Sequence, residues 1–326
     1  MRLLIVLGLI AAGFFVAGLV VGPAQISPFD SLRALFSDDG SVVSEVMLQI
    51  RLPRAILAAL IGGGLGLAGA AMQGYLRNPL ADPGLIGVSG SAAVGAVIAL
   101  QTGFAASVPL GLPAAALLGA FIGVALVLLL AGPRGGSLTL ILAGIAIASL
   151  SGALVSLVLN LSPNPFAASE IVFWMMGSLA DRSMDHVWIA TPLIILGAAL
   201  LLSLSRALDA LTLGEDAAEA MGIGLVRVRL VLVIGTAAIV AGGTAVAGAI
   251  GFVGLVVPHI LRGFVGARPG RLLWASALGG AIMLMAADLL VRVILPERDL
   301  KLGVLTAMVG APLFLHLIYR TRRETI

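Results

Sequence analysis

The chain of 326 residues is 60% hydrophobic and only 11% charged, whereas a soluble globular domain has about 25% charged residues. This composition excludes a soluble globular protein, and the absence of cysteine excludes disulfides and thiolate metal sites. The net charge of +3 arises from basic residues scattered at the ends of apolar runs, which indicates membrane topology rather than a nucleic-acid partner.

Apolar runs that are long enough to cross a bilayer recur along the whole chain. We therefore predict an all-α, polytopic membrane helix bundle, formed by one transmembrane domain that covers residues 1–326. The first run, from Leu3 to Val21, has no clear cleavage site, which favours a retained helix over a signal peptide. The ten predicted spans are residues 3–22, 53–74, 84–101, 110–131, 138–160, 187–204, 228–248, 250–265, 271–294 and 303–319.

The basic residues predict the orientation of these ten spans. An even number of spans places both termini on the same side of the membrane. With the termini inside, 12 of the 19 Lys and Arg residues fall on inner segments and 7 on outer segments, which predicts cytoplasmic termini.

The loop from Pro23 to Ile50 is then external and can form a short surface helix. The external segment Ser162–Ser183 contains Trp174, which is typical of an interfacial or re-entrant helix.

Glycines inside the spans predict close helix packing, because small residues let helix backbones approach each other in a membrane. Residues 64–69 also have the spacing GxGxxG of a dinucleotide-binding loop. They lie within an apolar helix with no preceding strand, so helix packing is favoured over nucleotide binding. The glycines with seam spacing are Gly62, Gly66 and Gly69 in the second span, and Gly248, Gly251 and Gly254 further on.

Arg51 and Arg54 open the second span on its outer face. Because residues three apart share a helix face, both can contact lipid headgroups or bind an acidic external partner. Arg292, at the outer end of the ninth span, can join them. Asp288, four residues before it, can instead neutralise Arg292 within the bundle.

The segment from Arg77 to Gly84 joins the second and third spans on the inner side. Pro79 and Pro83 prevent a continuous helix there. Irregular backbone at membrane depth is tolerated only against protein or a water-filled cavity. The sequence leaves two interpretations open, a tight turn and a gate.

An acidic insert from Thr212 to Gly222 lies between long apolar spans. The Thr212 and Glu215 spacing predicts a capping box, and Gly222 and Gly224 are suited to end the helix. We expect a short amphipathic cytoplasmic helix. It is either a solvated connector or, with its small apolar face and acidic rim, a plug for a groove in another protein.

The sequence contains no pattern that is typical of a catalytic, nucleotide-binding or metal-binding site. His186, His259 and His316 lack the spacing of metal ligands. No P-loop sequence occurs, and no nucleophile, base and orienting group recur together. We predict no catalytic residue, no cofactor and no metal site, so the chain is not expected to be an enzyme.

Together these blocks resemble the FecCD family, the permease subunits of type II ABC importers for iron-siderophores, haem and cobalamin. The resemblance covers nearly the whole chain. It is carried by Arg51-Leu52-Pro53-Arg54, Gln73 with Arg77-Asn78-Pro79-Leu80-Ala81-Asp82-Pro83, Gly87-Val88-Ser89, Trp174-Met175-Met176-Gly177-Ser178, Leu213-Gly214-Glu215, Gly248-Ala249-Ile250-Gly251-Phe252-Val253-Gly254-Leu255-Val256-Val257-Pro258-His259, Ala287-Asp288, Gly303-Val304-Leu305-Thr306-Ala307 and Gly310-Ala311-Pro312.

The resemblance implies ten helices per subunit in a homodimer in the bacterial inner membrane, with two cytoplasmic ABC ATPase subunits and a periplasmic substrate-binding protein. It implies a ferric siderophore as substrate, with haem or cobalamin as alternatives. An ion-coupled secondary transporter is less favoured, because Asp288 is its only strong candidate for ion coupling. The residues implied to couple to the ATPase are Leu213, Gly214, Glu215, Asp216, Ala217, Glu219 and Met221; those implied to dock the binding protein are Arg51, Arg54 and Arg292; those implied to form the cytoplasmic gate are Asn78 and Leu80.

Overall fold

The computed structural model describes residues 2–24, 26–36, 40–132, 135–162, 165–266, 268–294 and 300–324, and all regular structure in these ranges is helical. A π-helix at Val46–Arg51 and short 3₁₀-helices at Pro83–Ile86 and Gly263–Val265 accompany the α-helices. The α-helices are α1 (Arg2–Val20), α2 (Pro28–Ala34), α3 (Val42–Glu45), α4 (Leu52–Leu76), α5 (Val88–Gln101), α6 (Phe104–Ser107), α7 (Gly111–Ala131), α8 (Ser137–Asn160), α9 (Pro165–Met175), α10 (Met184–Ser203), α11 (Ser205–Leu211), α12 (Glu215–Ala220), α13 (Leu225–Ala247), α14 (Val253–Arg262), α15 (Pro269–Ile294) and α16 (Leu302–Glu324).

The predicted all-α membrane bundle is confirmed. Among the described residues, seven helices are long and apolar enough to cross a membrane, and α5, α14 and α16 provide shorter apolar segments. Each of the ten predicted spans therefore coincides with a helix. The eighth differs in length: α14 has 10 residues, about 15 Å at 1.5 Å per residue, which is roughly half of the hydrocarbon core.

Helix α4 lies at the centre of the bundle, where most of its residues are buried. Its glycines face α15 directly: a Cβ at Gly62 would overlap the carbonyl of Gly280, and one at Gly66 would overlap the carbonyl of Ser276. The GxGxxG sequence is thus a packing seam, as predicted.

The second predicted set of glycines is only partly a seam. Gly248 packs against the carbonyl of Trp174, and a Cβ on Gly254 would lie 2.6 Å from Cδ of Pro83. Gly251 has open space at its Cβ position, so the prediction is wrong there. The chain is non-helical from Gly248 to the start of α14, which explains why a helical spacing did not describe it.

The segments between the spans on the predicted outer side contain short helices. Ser27 caps α2 by accepting a hydrogen bond from the amide of Asp30 at 3.1 Å, and Ser41 caps α3 through the amide of Ser44 at 3.2 Å. These helices confirm that the loop from Pro23 to Ile50 contains short helices, and α9 confirms a helix that includes Trp174; their position at the membrane surface stays a prediction. The side of the membrane on which they lie stays a prediction; Arg134 and Arg298, which contribute to the charge asymmetry, lie outside the described residues.

Candidate functional site

The acidic insert folds as two short helices, α11 and α12, joined by a tight turn. The turn depends on Gly214, whose φ of +107° is unfavourable for a residue with a side chain. Glu215 and Asp216 follow in the first turn of α12, where carboxylates stabilise the positive end of a helix. The predicted short acidic helix is therefore present.

The predicted capping box is wrong. Thr212 belongs to the end of α11, and its hydroxyl donates to the carbonyl of Asp209 at 2.7 Å instead of accepting from α12. Gly214 precedes α12 in the position that Thr212 was expected to occupy. Thr212 and Glu215 have the spacing of a capping box. The chain instead turns sharply at Gly214, two residues after Thr212, and α12 begins only after that turn.

The end of α12 is formed as the glycines predict. Gly222 has φ of +83°, its amide donates to the carbonyl of Glu219 at 2.8 Å, and the amide of Ile223 donates to the carbonyl of Ala218 at 3.0 Å. This pair of bonds is a Schellman motif. Because Ala218 is fully buried, α12 is attached to the bundle through one small apolar residue.

The opposite surface of this segment faces solvent. Leu213 is 70% exposed and Met221 is 53% exposed, on either side of the exposed carboxylates Glu215, Asp216 and Glu219. Gly214 and Ala217 are half-buried beneath them. We refer to residues 213–221 as the coupling segment, after the role predicted for them; their surface combines apolar side chains with an acidic rim.

The loop at residues 77–82, which we call the gate loop after the role predicted for Asn78 and Leu80, follows α4. Arg77 ends α4 with φ of +49°, and the side-chain oxygen Oδ1 of Asn78 accepts from the amide of Leu80 at 2.9 Å. Oδ1 of Asp82 accepts from the amide of Gly84 at 2.7 Å and caps the 3₁₀-helix. Asn78 is exposed and Leu80 is half-buried. Burial raises the pKa of Asp82, and the bond from Gly84 partly opposes this.

The structure brings the gate loop and the coupling segment together. Nη2 of Arg77 lies 3.6 Å from Oε1 of Glu215. Both side chains are about half exposed, so the pair contributes at most about 1 kcal/mol to stability. The pair is informative because it joins the gate loop to the coupling segment, which lie far apart in the sequence. Nothing in the spacing of Arg77 and Glu215 predicts this contact.

A cavity of about 220 Å³ lies between α4, α13 and the non-helical segment before α14. Asp82, Ser89 and Thr244 supply its polar side chains, and Phe252 lies at the start of α14. Irregular backbone therefore lies against protein and a partly polar cavity, the surroundings that non-helical backbone would need at membrane depth.

Arg51, Arg54 and Arg292, the arginines at the predicted outer ends of their helices, are engaged within the protein. Asp288 accepts from Nε of Arg54 at 2.8 Å and also pairs with Arg292, so the predicted neutralisation of Arg292 is confirmed. Arg51 donates to the carbonyls of Leu19 at 3.0 Å and Val20 at 2.8 Å.

Two of these arginines, Arg51 and Arg292, bind the carbonyl groups at the C-terminal end of α1. The last carbonyls of a helix have no partner within it, and cations are favourable there. Arg292 donates to the carbonyls of Gly18 at 2.8 Å and Val21 at 3.2 Å, next to those bound by Arg51. Arg51 and Arg292 are only 3% and 8% exposed. Their burial argues against direct contact with an external partner, so a docking role stays a prediction.

The same contacts bear on ion coupling and metal binding. Asp288, the candidate for ion coupling, is already paired with two arginines. No group of three His, Cys, Asp or Glu side chains suitable for a metal occurs within the described part of the chain. His316 lies in α16, but its side chain is outside what the structure describes.

Comparison with known proteins identifies the architecture. The sequence model of the FecCD transport family matches residues 7–320. The vitamin B12 import system permease protein BtuC of Vibrio cholerae is 39% identical over 93% of this chain and 89% of its own length. The Fe(3+) dicitrate transport system permease protein FecD of Escherichia coli is 39% identical over 89% of this chain and 91% of its own length.

A solved structure described as an inward-facing conformation of a metal-chelate type ABC transporter is also similar. It aligns with a TM-score of 0.87 at 35% identity and covers 98% of this chain and 99% of its own. The likeness therefore extends over nearly the whole chain.

Proposed function

Since this chain belongs to the FecCD transport family, we propose that it is the membrane permease of an importer driven by separate ATPase subunits. The substrate is a ferric siderophore or another large metal chelate, with haem or cobalamin as alternatives carried in the same way. The observation that carries this proposal is the exposed coupling segment, which contacts the gate loop through Glu215 and Arg77.

The coupling segment has the properties of a docking helix. Leu213 and Met221 expose apolar surface, and Glu215, Asp216 and Glu219 surround it with negative charge. An apolar patch in an acidic rim fits a hydrophobic groove with basic edges. We propose that each ATPase subunit provides such a groove and displaces this segment when it closes.

Displacement of the coupling segment would reach the gate loop through the Arg77–Glu215 pair. Ala218, which is fully buried, would carry the same rigid-body movement into the bundle. In this proposal Asn78 and Leu80 open and close the cytoplasmic end of the pathway. Such rigid-body gating is a common form of conformational switching.

The complete importer in this proposal contains two copies of the chain, two ATPases and a periplasmic binding protein in the bacterial inner membrane. Both termini are cytoplasmic, which is supported by the distribution of basic residues. Among Arg51, Arg54 and Arg292, Arg54 is the most exposed, at 17% of its side chain, and is best suited to meet the binding protein directly. Arg51 and Arg292 would act indirectly, by holding α1.

ATP hydrolysis belongs to the partner subunits, since this chain has no P-loop sequence. The test is ATP-driven uptake by the complex in proteoliposomes, with Glu215 and Asp216 both replaced by lysine. We expect uptake to fall at least about tenfold, because two charge reversals in the first turn of α12 oppose both the helix dipole and a basic groove.

The matched control is Glu45→Lys, an exposed carboxylate on the predicted outer side. It reverses charge without touching the coupling segment, so uptake should stay close to that of the wild type. Unchanged uptake in the Glu215 and Asp216 variant would remove the support for coupling through this segment.

A further inference from the structure

Helix α14 contains a proline, Pro258, within its only ten residues. Proline has no amide hydrogen, so the carbonyl four residues earlier loses its partner within the helix. That carbonyl belongs to Gly254, which lies against α4 and Pro83. A buried carbonyl without a partner is costly, so a donor from outside α14 is expected.

Gln73 of α4 supplies this donor. Its Nε2 donates to the carbonyl of Gly254 at 3.4 Å and to that of Leu255 at 3.2 Å. Gln73 is only 1% exposed. The side-chain amide therefore occupies the place of the hydrogen bond that Pro258 cannot make.

Arg262, the last residue of α14, fixes the orientation of this amide. Its Nη2 donates to Oε1 of Gln73 at 2.9 Å. With Oε1 held by a donor, Nε2 has to point towards the carbonyls of Gly254 and Leu255. One side chain thus binds both the start and the end of α14.

The backbone of Gln73 binds the gate loop at the same time. Its carbonyl accepts from the amide of Arg77 and from the amide of Asn78 at 3.2 Å. At the other end of the loop, Pro83 packs against Gly254. Gln73 therefore lies between the gate loop and α14 and is bonded to both.

We propose that Gln73 is a positioning residue that makes α14 and the gate loop move as one unit, by replacing the amide donor that Pro258 lacks. This inference rests on the proposed transport function and adds α14 to the moving part of the gate. It also explains why α14 is bound by a side chain of α4: its own helical bonding is incomplete at Pro258.

The proposal is tested by a rescue experiment in the complete reconstituted transporter. Gln73→Leu removes the donor, and we expect ATP-driven uptake to fall about tenfold, as one unsatisfied buried carbonyl implies. Pro258→Ala restores a backbone amide opposite Gly254. The double variant should therefore recover uptake to within about threefold of the Pro258→Ala protein.

Two further variants keep the test specific. Pro312→Ala restores a backbone amide in α16, away from Gln73, and should not rescue Gln73→Leu. Gln73→Glu keeps the acceptor for Arg262 but lacks the donor, so the fold is retained while uptake still falls. Wild-type uptake by either Gln73 variant, or equal rescue by Pro312→Ala, overturns the proposal.

A distance measurement separates this inference from the transport function. Because the chain has no cysteine, spin labels can be placed at Asn78 in the gate loop and at Phe264, which is 70% exposed after α14. The distance distribution should broaden in Gln73→Leu and narrow again with Pro258→Ala. An unchanged distribution contradicts the inference, whereas absence of ATP-driven uptake by the wild-type complex contradicts only the proposed function.

Discussion

Gly69 of α4 lies directly against the carbonyl oxygen of Gly254, and a Cβ at position 69 would overlap that atom. The two helices therefore cross without a side chain between them. This approach places Gln73, one turn later on α4, within reach of the carbonyls of Gly254 and Leu255. The glycine at position 69 and the glutamine at 73 are thus parts of one contact.

We predict that Gly69→Ala destabilises the protein by about 1–3 kcal/mol, because the added methyl group forces two backbones apart. Gly152→Ala in α8 is the control, since Gly152 has open space around its Cβ position and alanine favours a helix. Thermal unfolding in detergent measures both. A Gly69→Ala protein as stable as the Gly152→Ala protein would contradict the close packing of α4 against α14 at Gly69.

The glycine spacing shows how far the sequence predicts this fold. It identified the seam at Gly62 and Gly66, because helical periodicity is a local property. It could not identify the partners Gly280 and Ser276, which are distant in sequence. It was also misleading at Gly251, where the chain leaves the helix.

A second prediction concerns the contact between the gate loop and the coupling segment. Arg77→Glu and Glu215→Arg should each lower ATP-driven uptake, because like charges then face each other across 3.6 Å. The part of the effect that comes from the pair should be less than about fivefold, since the pair is half exposed and worth at most about 1 kcal/mol; Glu215→Arg also places a positive charge at the proposed basic groove.

The double variant Arg77→Glu with Glu215→Arg should regain the uptake lost through the pair and should therefore exceed Glu215→Arg alone, although the positive charge at the proposed basic groove remains. This gain over Glu215→Arg should shrink in high salt, which screens exposed charges. If the double variant loses as much as the product of the single variants, the two residues do not act as a pair.

Arg51 and Arg292 make contacts that could not be predicted from the sequence. Their positions at the start of α4 and the end of α15 suggested a surface role, whereas the structure places Arg51 and Arg292 on the last carbonyls of α1. The sequence contained the relevant signal only for Asp288, four residues before Arg292. The carbonyls of α1 carry no sequence signature, because every residue has one.

A third prediction tests the cluster around Asp288. Asp288→Ala leaves Arg54 and Arg292 without their carboxylate and should destabilise the protein by about 3–5 kcal/mol, the usual result of breaking a buried ion pair. Asp30→Ala, which removes an exposed carboxylate on α2, is the control for loss of one negative charge on the predicted outer side of the protein.

Unfolding of both variants in detergent is the measurement, together with the accessibility to a thiol reagent of a cysteine introduced at Leu19, which is 4% exposed in the wild type. Asp288→Ala should expose this position as Arg292 leaves the end of α1. An Asp288→Ala protein with wild-type stability and a protected Leu19 position would contradict the role of the cluster.

The last prediction concerns pH and Asp82 in the gate loop. Burial raises the pKa of this carboxyl above its usual value, which is about 4. The folded protein therefore binds the proton more tightly than the unfolded chain does. The contribution of Asp82 to stability is fully present below the unfolded pKa and is lost as pH rises through the raised pKa.

Asp82→Asn should remove this loss, because an amide carries no charge and its oxygen can still accept from the amide of Gly84. Asp82→Ala also removes the charge but loses the cap, at a cost of about 0.5–2 kcal/mol. Melting temperatures between about pH 4 and pH 7 should therefore fall less steeply with pH for both variants than for the wild type. The alanine variant should be the less stable of the two at every pH. A wild-type pH slope in Asp82→Asn would show that another group causes the dependence.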